Sequence, residues 1–276
     1  MPKPLYVTDL DGTLMHSDKT ISAQSVETIN RLIDSGVCFT VATARTIRSA
    51  SGIIREIGFR LPVITLNGTV LADAKTGKRI EAALFSPEET AELKRRLHGR
   101  CGNMIVKAFF GEELRRTFLE TSGNTAFSAY VEEHHSDPLM RCVKTEEELF
   151  AGDVCYLSLI APREDLEPLL AEVSGSSRWE TLFQKDTYRD EYWLEIFPKG
   201  SSKAEAMRKV MNLAGCDSLV VFGDSANDLS GFRAADECYA VRNASPELKA
   251  AATAVIGSND EDAVAGWLSA HAVIPR

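Results

Sequence analysis

Long apolar runs are missing from this 276-residue chain: the longest, Val154–Ile160 and Leu219–Phe222, fall far short of the ~20 residues a membrane-spanning helix needs. Cysteine is sparse and without pattern. The six residues, at 38, 101, 142, 155, 216 and 238, form no C-x-x-C pair and have no histidine at zinc-finger spacing, which argues against a disulfide framework or a structural zinc site. Cys38 and Cys155 lie inside apolar runs, as reduced, buried thiols do. Basic residues are the minority, 31 Lys/Arg against 40 Asp/Glu for a net charge of −9, so no global field draws nucleic acid or an anionic membrane. What remains, 44% hydrophobic and 26% charged residues, is the balance of a globular protein rather than of a disordered or fibrous one. Because Met1-Pro2-Lys3-Pro4 runs straight into a strand pattern, no signal peptide is expected, and the cytoplasm is the expected compartment.

The length suits one large or two modest domains, and the order of elements separates them. Leu5–Thr8, Val37–Ala42 and Pro62–Leu66 read as strands alternating with helices, one capped by Ser22 and ended near Gly36, the next ended at Gly58. That rhythm predicts a parallel sheet flanked by helices. Val70–Ala74 and Arg79–Ala83 flank a hairpin turn at Lys75–Lys78. Paired strands then take over: Asn103–Phe110 with Leu114–Glu120, and Trp179–Gln184 with Tyr192–Phe197, around strand Val154–Ile160 and helix Arg163–Val173. From Gly200 the α/β rhythm returns with helix Lys203–Ala214 and strand Ser218–Phe222. Charge follows the same division. Residues 84–198 hold 13 Lys/Arg and 22 Asp/Glu, whereas the rest holds 18 of each. The expectation is an α/β domain made of residues 1–83 and 199–276, interrupted by an α+β domain over 84–198.

Two strand ends carry acidic clusters. Leu5–Thr8 leads into Asp9-Leu10-Asp11-Gly12-Thr13-Leu14, and Ser218–Phe222 leads into Gly223-Asp224-Ser225-Ala226-Asn227-Asp228. The carboxyl ends of parallel strands are where open α/β sheets bind ligands. Carboxylates gathered there repel one another unless a cation is present, and an all-oxygen donor set suits Mg²⁺. The same residues also build turns and helix caps. Thr43, just before Arg45, and Lys203, after Gly200-Ser201-Ser202, are the hydroxyl and ammonium that a phosphoryl group attracts. A lysine in a first helical turn opposes the helix dipole and calls for a compensating partner.

Taken in order, these features resemble the haloacid dehalogenase superfamily, and within it the Cof-like phosphatases with a large α/β cap of class IIB. The resemblance spans the chain: D-x-D-G-T-L at Asp9–Leu14, V-A-T-A-R at Val41–Arg45, the Asn67-Gly68 turn, P-K-G-S-S-K ending at Lys203, G-D-S-A-N-D at Gly223–Asp228, and Asn243 in A-V-x-N-A. Ala44 stands where the family usually has Gly, Ala204 replaces the common Gly after the lysine, and Gly231-Phe232 replaces a common Met-Leu pair. No catalytic group is lost by these departures.

The resemblance implies a Rossmann-like core with an inserted cap, and an Mg²⁺-dependent phosphatase for a small phosphorylated metabolite such as a sugar phosphate. Asp9 is then the nucleophile that becomes an aspartyl-phosphate and Asp11 the acid and base. Thr43, Arg45, Asn67, Gly68, Asn227 and Lys203 serve the phosphate or substrate. The metal falls to Asp9, Asp11, Asp224 and Asp228. A monomer or homodimer without nucleic-acid or membrane partners is expected. A phosphomutase of phosphomannomutase type and a non-catalytic phospholigand sensor are the alternatives, the second opposed by the intact Asp9, Asp11, Lys203 and Asp224. His134-His135 near Asp137 read as a polar loop rather than a metal site. His16 reads as a flap residue or a substrate contact.

Overall fold

The computed structural model describes residues 3–120, 124–186 and 189–275. It divides into two compact units, Met1–Glu81 with Ser201–Arg276, and Ala82–Gly200. The larger unit is built on five strands in the order Ala254–Val255, Glu237–Ala240, Ser218–Gly223, Pro4–Thr8, Cys38–Val41, each paired in parallel with its neighbour. Leu5, Val7, Val41, Val221 and Phe222 are fully buried in its core, as expected of strands covered on both faces. Pro4–Thr8 lies between Cys38–Val41 and Ser218–Gly223, and the chain leaves it in one direction for the first and in the other for the second. That reversal makes the switch point beside which such sheets bind ligands.

Register decides which residues meet at this edge. Thr8 is opposite both Phe222 and Val41, so the segments starting at Asp9, Gly223 and Ala42 emerge side by side. The flanking helices start where the sequence supplies caps. Ser22 accepts the Ser25 N–H ahead of Ala23–Asp34, and Ser202 accepts the Glu205 N–H ahead of Lys203–Ala214. Gly215, at φ +61°, ends the latter helix in a conformation that costs glycine little.

One strand departs from expectation. Val63–Thr65 does not extend the parallel sheet but belongs to a separate three-stranded sheet, antiparallel to Val70–Ala72, with Arg79–Ala82 beyond. A single parallel bridge between Ala42 and Ile64 joins it to the main sheet. The turn at Leu66–Gly68 folds the chain straight back, so Val63–Thr65 pairs with the returning strand Val70–Ala72 instead of running on beside Cys38–Val41.

The smaller unit is a six-stranded sheet in the order Trp179–Lys185, Tyr192–Pro198, Asp153–Ala161, Met104–Phe110, Glu113–Leu119, Met140–Val143. Its pairs are antiparallel except the last. Side chains alternate across the pleat. Val106, Leu157, Leu159, Leu194 and Ile196 pack with Leu93, Leu97, Leu166 and Val173 of helices Pro87–Leu97 and Arg163–Val173. Intervening positions place Lys107, Tyr156, Ser158 and Glu195 on the opposite face.

Candidate active site

At the carboxyl edge of the larger sheet, Asp9 is anchored by its own N–H, which donates to the Phe222 carbonyl at 3.0 Å. The chain then turns at Gly12, whose φ is +72°. A Cβ there would lie 2.6 Å from Asp224 Oδ2, so the turn needs glycine for both backbone and space. Thr13 Oγ1 donates to Asp224 Oδ1 at 3.1 Å, tying the first acidic loop to the second.

Lys203 compensates for the acidic surroundings. Its Nζ donates to Asp9 Oδ1 and to Asp228 Oδ1, each at 2.7 Å, and all three side chains are buried. Asp228 Oδ2 accepts the N–H groups of Asp224 and Ser225 at 3.0 and 3.2 Å. One carboxylate thus links the lysine to the helix start. Burial alone would lower the Lys203 ammonium, but Asp228 and Asp9 raise it above the ordinary lysine value. Burial pushes Asp9 well above the usual carboxylate range against the pull of Lys203, with Asp228, Asp224 and Asp11 pushing in the same direction as burial. Asp224 is pushed up to about 7 by burial and by Asp228.

Oxygen atoms of Asp9, Asp224 and Asp228 lie within 4.8 Å of one another. Three buried carboxylates face one ammonium, which bonds only Asp9 and Asp228, and burial disfavours their charged forms. A hard divalent cation answers both facts, and a donor set of oxygen alone, without histidine or thiolate, fits Mg²⁺.

The other sequence-derived residues surround this cluster. Asp11 is gripped by Arg45 in a two-pronged ion pair, Nε to Oδ2 at 2.7 Å and NH2 to Oδ1 at 2.6 Å. Arg45, expected at the phosphate or substrate, therefore lies on the second aspartate in this structure. Thr43 is buried, its hydroxyl accepts the Arg45 N–H at 3.1 Å, and its carbonyl accepts the Asn67 N–H at 3.0 Å. Asn67 Oδ1 accepts from Asn227 Nδ2 at 3.1 Å, and Asn227 Oδ1 accepts the Ser225 hydroxyl at 2.8 Å. Gly68, at φ +104°, packs against the Ser201 and Ser202 carbonyls so closely that a Cβ would collide with both. This approach sets the start of the Lys203 helix against the Asn67 turn.

Sequence reasoning passed over Thr13, which stands in the D-x-D-G-T motif itself, and Asn259, which no local pattern marks. His16 is committed to Asp262 at 2.9 Å. In the smaller unit, His134 and His135 bond the Tyr130 and Glu132 carbonyls, and Asp137 pairs with Arg116. Among the described residues, the three-aspartate group is the metal-competent cluster, and the histidine pair is outside it.

A parallel sheet with buried carboxylates at its switch point, two of them bonded to one lysine from a helix start, forms an acid-rich site suited to a divalent cation. The model of the haloacid dehalogenase-like hydrolase family matches residues 6–268, and the chain belongs to that family. Among its relatives, the 5-amino-6-(5-phospho-D-ribitylamino)uracil phosphatase of Bacillus subtilis is 28% identical over 94% of this chain and 95% of its own. The pyridoxal phosphate phosphatase of Escherichia coli is 27% identical over 99% of this chain and all of its own. A haloacid dehalogenase-like hydrolase structure from B. subtilis shares the fold with a TM-score of 0.79 at 21% identity, covering 98% of this chain and 100% of that one.

Proposed function

We propose that the protein is an Mg²⁺-dependent phosphatase that hydrolyses a small phosphomonoester, a phosphorylated metabolite of the kind its relatives are named for, in the cytoplasm. The observation that carries this reading is the convergence of Asp9, Asp224 and Asp228 around Lys203. Mg²⁺ would be held by an Asp9 carboxylate oxygen, the Asp11 carbonyl and Asp224, with Asp228 joining directly or through water. When bound, the cation supplies charge neutralisation for the carboxylates and the phosphoryl oxygens.

The chain's own groups account for the remaining chemistry. Asp9 attacks phosphorus, the bond from phosphorus to the leaving alcohol breaks, and Asp11 gives that oxygen its proton. Water then attacks phosphorus, Asp11 takes the proton, and the Asp9–phosphorus bond breaks to release inorganic phosphate. Splitting the reaction in this way replaces one difficult displacement with two easier ones. Lys203 and Thr43 hold the non-bridging oxygens in place, so the transfer depends on positioning and charge stabilisation. Asn227, tied to Asn67, keeps the second acidic loop in register, while Arg45 fixes the orientation of Asp11.

The test is phosphate release from p-nitrophenyl phosphate and a panel of sugar phosphates, with Mg²⁺ and with EDTA, for wild type and Asp9→Asn. Turnover that requires Mg²⁺ and drops to background in Asp9→Asn is expected. A folded wild-type protein that releases no phosphate from any member of the panel would refute the reading.

A further inference from the structure

The loop that carries Asp9 and Asp11 is held from its far side by a segment more than two hundred residues away. Asn243 Nδ2 donates to the Gly12 carbonyl at 2.7 Å, and its Oδ1 accepts the Asn259 N–H at 3.2 Å. Asn259, itself buried, donates from Nδ2 to the Met15 carbonyl at 2.9 Å. One residue on, the Asp260 carboxylate accepts the N–H and the hydroxyl of Ser17 at 2.7 and 2.8 Å. Finally, Asp262 Oδ1 meets His16 Nε2 at 2.9 Å and accepts the hydroxyls of Ser22 and Ser25 at 2.7 and 2.8 Å. Five residues, Ser258–Asp262, thus engage the chain from Met15 to Ser25 directly and reach Gly12 through Asn243.

Two features set this segment apart from ordinary packing. Asp262 sits at φ +54°, a left-handed conformation uncommon for a non-glycine residue, though more accessible to aspartate than to most. The amides of Asn243 and Asn259 also bond carbonyls of the nucleophile loop rather than of a helix or sheet. Within that loop, Leu14 and Met15 donate back to the Asp9 and Leu10 carbonyls at 3.3 and 2.8 Å. The loop is therefore closed internally by two backbone bonds and fastened externally by two side-chain amides.

We infer that Asn259 and Asn243 are positioning residues for phosphoryl transfer and that Asp262 anchors them. Neither asparagine touches the carboxylates. Each fixes a carbonyl within four residues of Asp11, and so sets the line along which Asp9 meets phosphorus. In-line attack is sensitive to that line, since a displacement of about 1 Å can cost about 10²-fold in rate. The inference rests on the phosphatase reading for its effect on rate, but not for its effect on the loop.

The test pairs two readouts in Asn259→Asp, Asn259→Leu and Asp262→Gly. The aspartate keeps the size of the side chain while removing the donor to Met15. The glycine relieves the left-handed backbone while removing the anchor, so it should fold. Asn30→Ala is the control, because Asn30 bridges the Glu56 carbonyl and Gly58 N–H in the same unit. Amide exchange over residues 9–16 should accelerate about tenfold in the three variants. The kcat for p-nitrophenyl phosphate should fall about tenfold or more with KM within about twofold of wild type. Asn30→Ala should change neither, whatever its melting temperature. Unchanged exchange over 9–16 overturns the inference, as does faster exchange with kcat intact. If wild type shows no turnover, the phosphatase reading fails and exchange alone decides whether the segment holds the loop.

Discussion

Among the described residues each unit of the molecule buries one lysine, and the two are driven in opposite directions. Lys203, in the larger unit, lies between Asp9 and Asp228 and is raised above the ordinary lysine value. Lys107, in the sheet of the smaller unit, donates to the Ser158 hydroxyl at 2.8 Å and lies 4.3 Å from the centre of the Tyr156 ring. Burial lowers it to about 8, with Glu195 resisting and Arg116 adding to the effect. Desolvation acts on both, and the partner decides the outcome: two carboxylates at hydrogen-bond distance outweigh it, whereas a hydroxyl and a ring face do not. A buried cation is therefore no mark of a site by itself. A buried cation shared by carboxylates from two loops is a better one.

Removing Lys203 should break that contrast most severely. Lys203→Met leaves two buried carboxylates facing each other, for which a loss of about 3–5 kcal/mol is expected. On the proposed mechanism it also deletes a donor to the phosphoryl oxygens, with about 10²–10³-fold lost from kcat. Chemical denaturation and phosphate release measure the two losses, and activity within tenfold of wild type would show that the lysine is dispensable.

Asp228→Asn brings Lys203 closer to the situation of Lys107 by withdrawing one of its two carboxylates. Because it also reduces the three-aspartate donor set, the Mg²⁺ concentration for half-maximal activity should rise about tenfold. An unchanged Mg²⁺ titration would remove Asp228 from the metal's surroundings.

The smallest effect belongs to Lys107→Met. The folded-state value of about 8 lies below the ~10.4 of an unfolded lysine. Below pH 8 both states carry the proton and the cost of burying the charge is present in full. Between pH 8 and about 10.4 the folded protein sheds the proton first, so wild type should gain stability relative to Lys107→Met across that window. Paired thermal melts from pH 7 to 10 measure the gap, and a gap independent of pH contradicts the assignment.

Much of the fold could be read wherever local chemistry marked it. The sequence reads as a helix over Lys203–Ala214, and the structure has it over those residues, capped by Ser202 and ended by Gly215. Pro87–Leu97 begins at the capping box that Ser86 and Glu89 form. Residues 125–143 resisted reading because their elements lack a clear period. Thr125–Glu133 is a short helix, and Met140–Val143 is an edge strand with a single buried residue. Pro62–Leu66 misled for a different reason. An apolar run announces burial but not which sheet receives it, and the Leu66–Gly68 turn sent Val63–Thr65 to a sheet of its own.

The candidate site divides along the same line. Sequence alone identified the two acidic strand ends, the glycine between Asp11 and Thr13, and the lysine at a capped helix start. Those signals are local: alternation ends, a turn begins, and a charge stands where the helix dipole disfavours it. Which partner each side chain takes was decided by the tertiary structure. Arg45 crosses 34 residues to Asp11, Lys203 crosses 194 to Asp9, and Asn259 crosses 244 to the Met15 carbonyl. Parallel register brings these segments to one sheet edge, and burial there leaves a charged or polar group stable only beside a complementary one. No local pattern encodes a partner so distant along the chain.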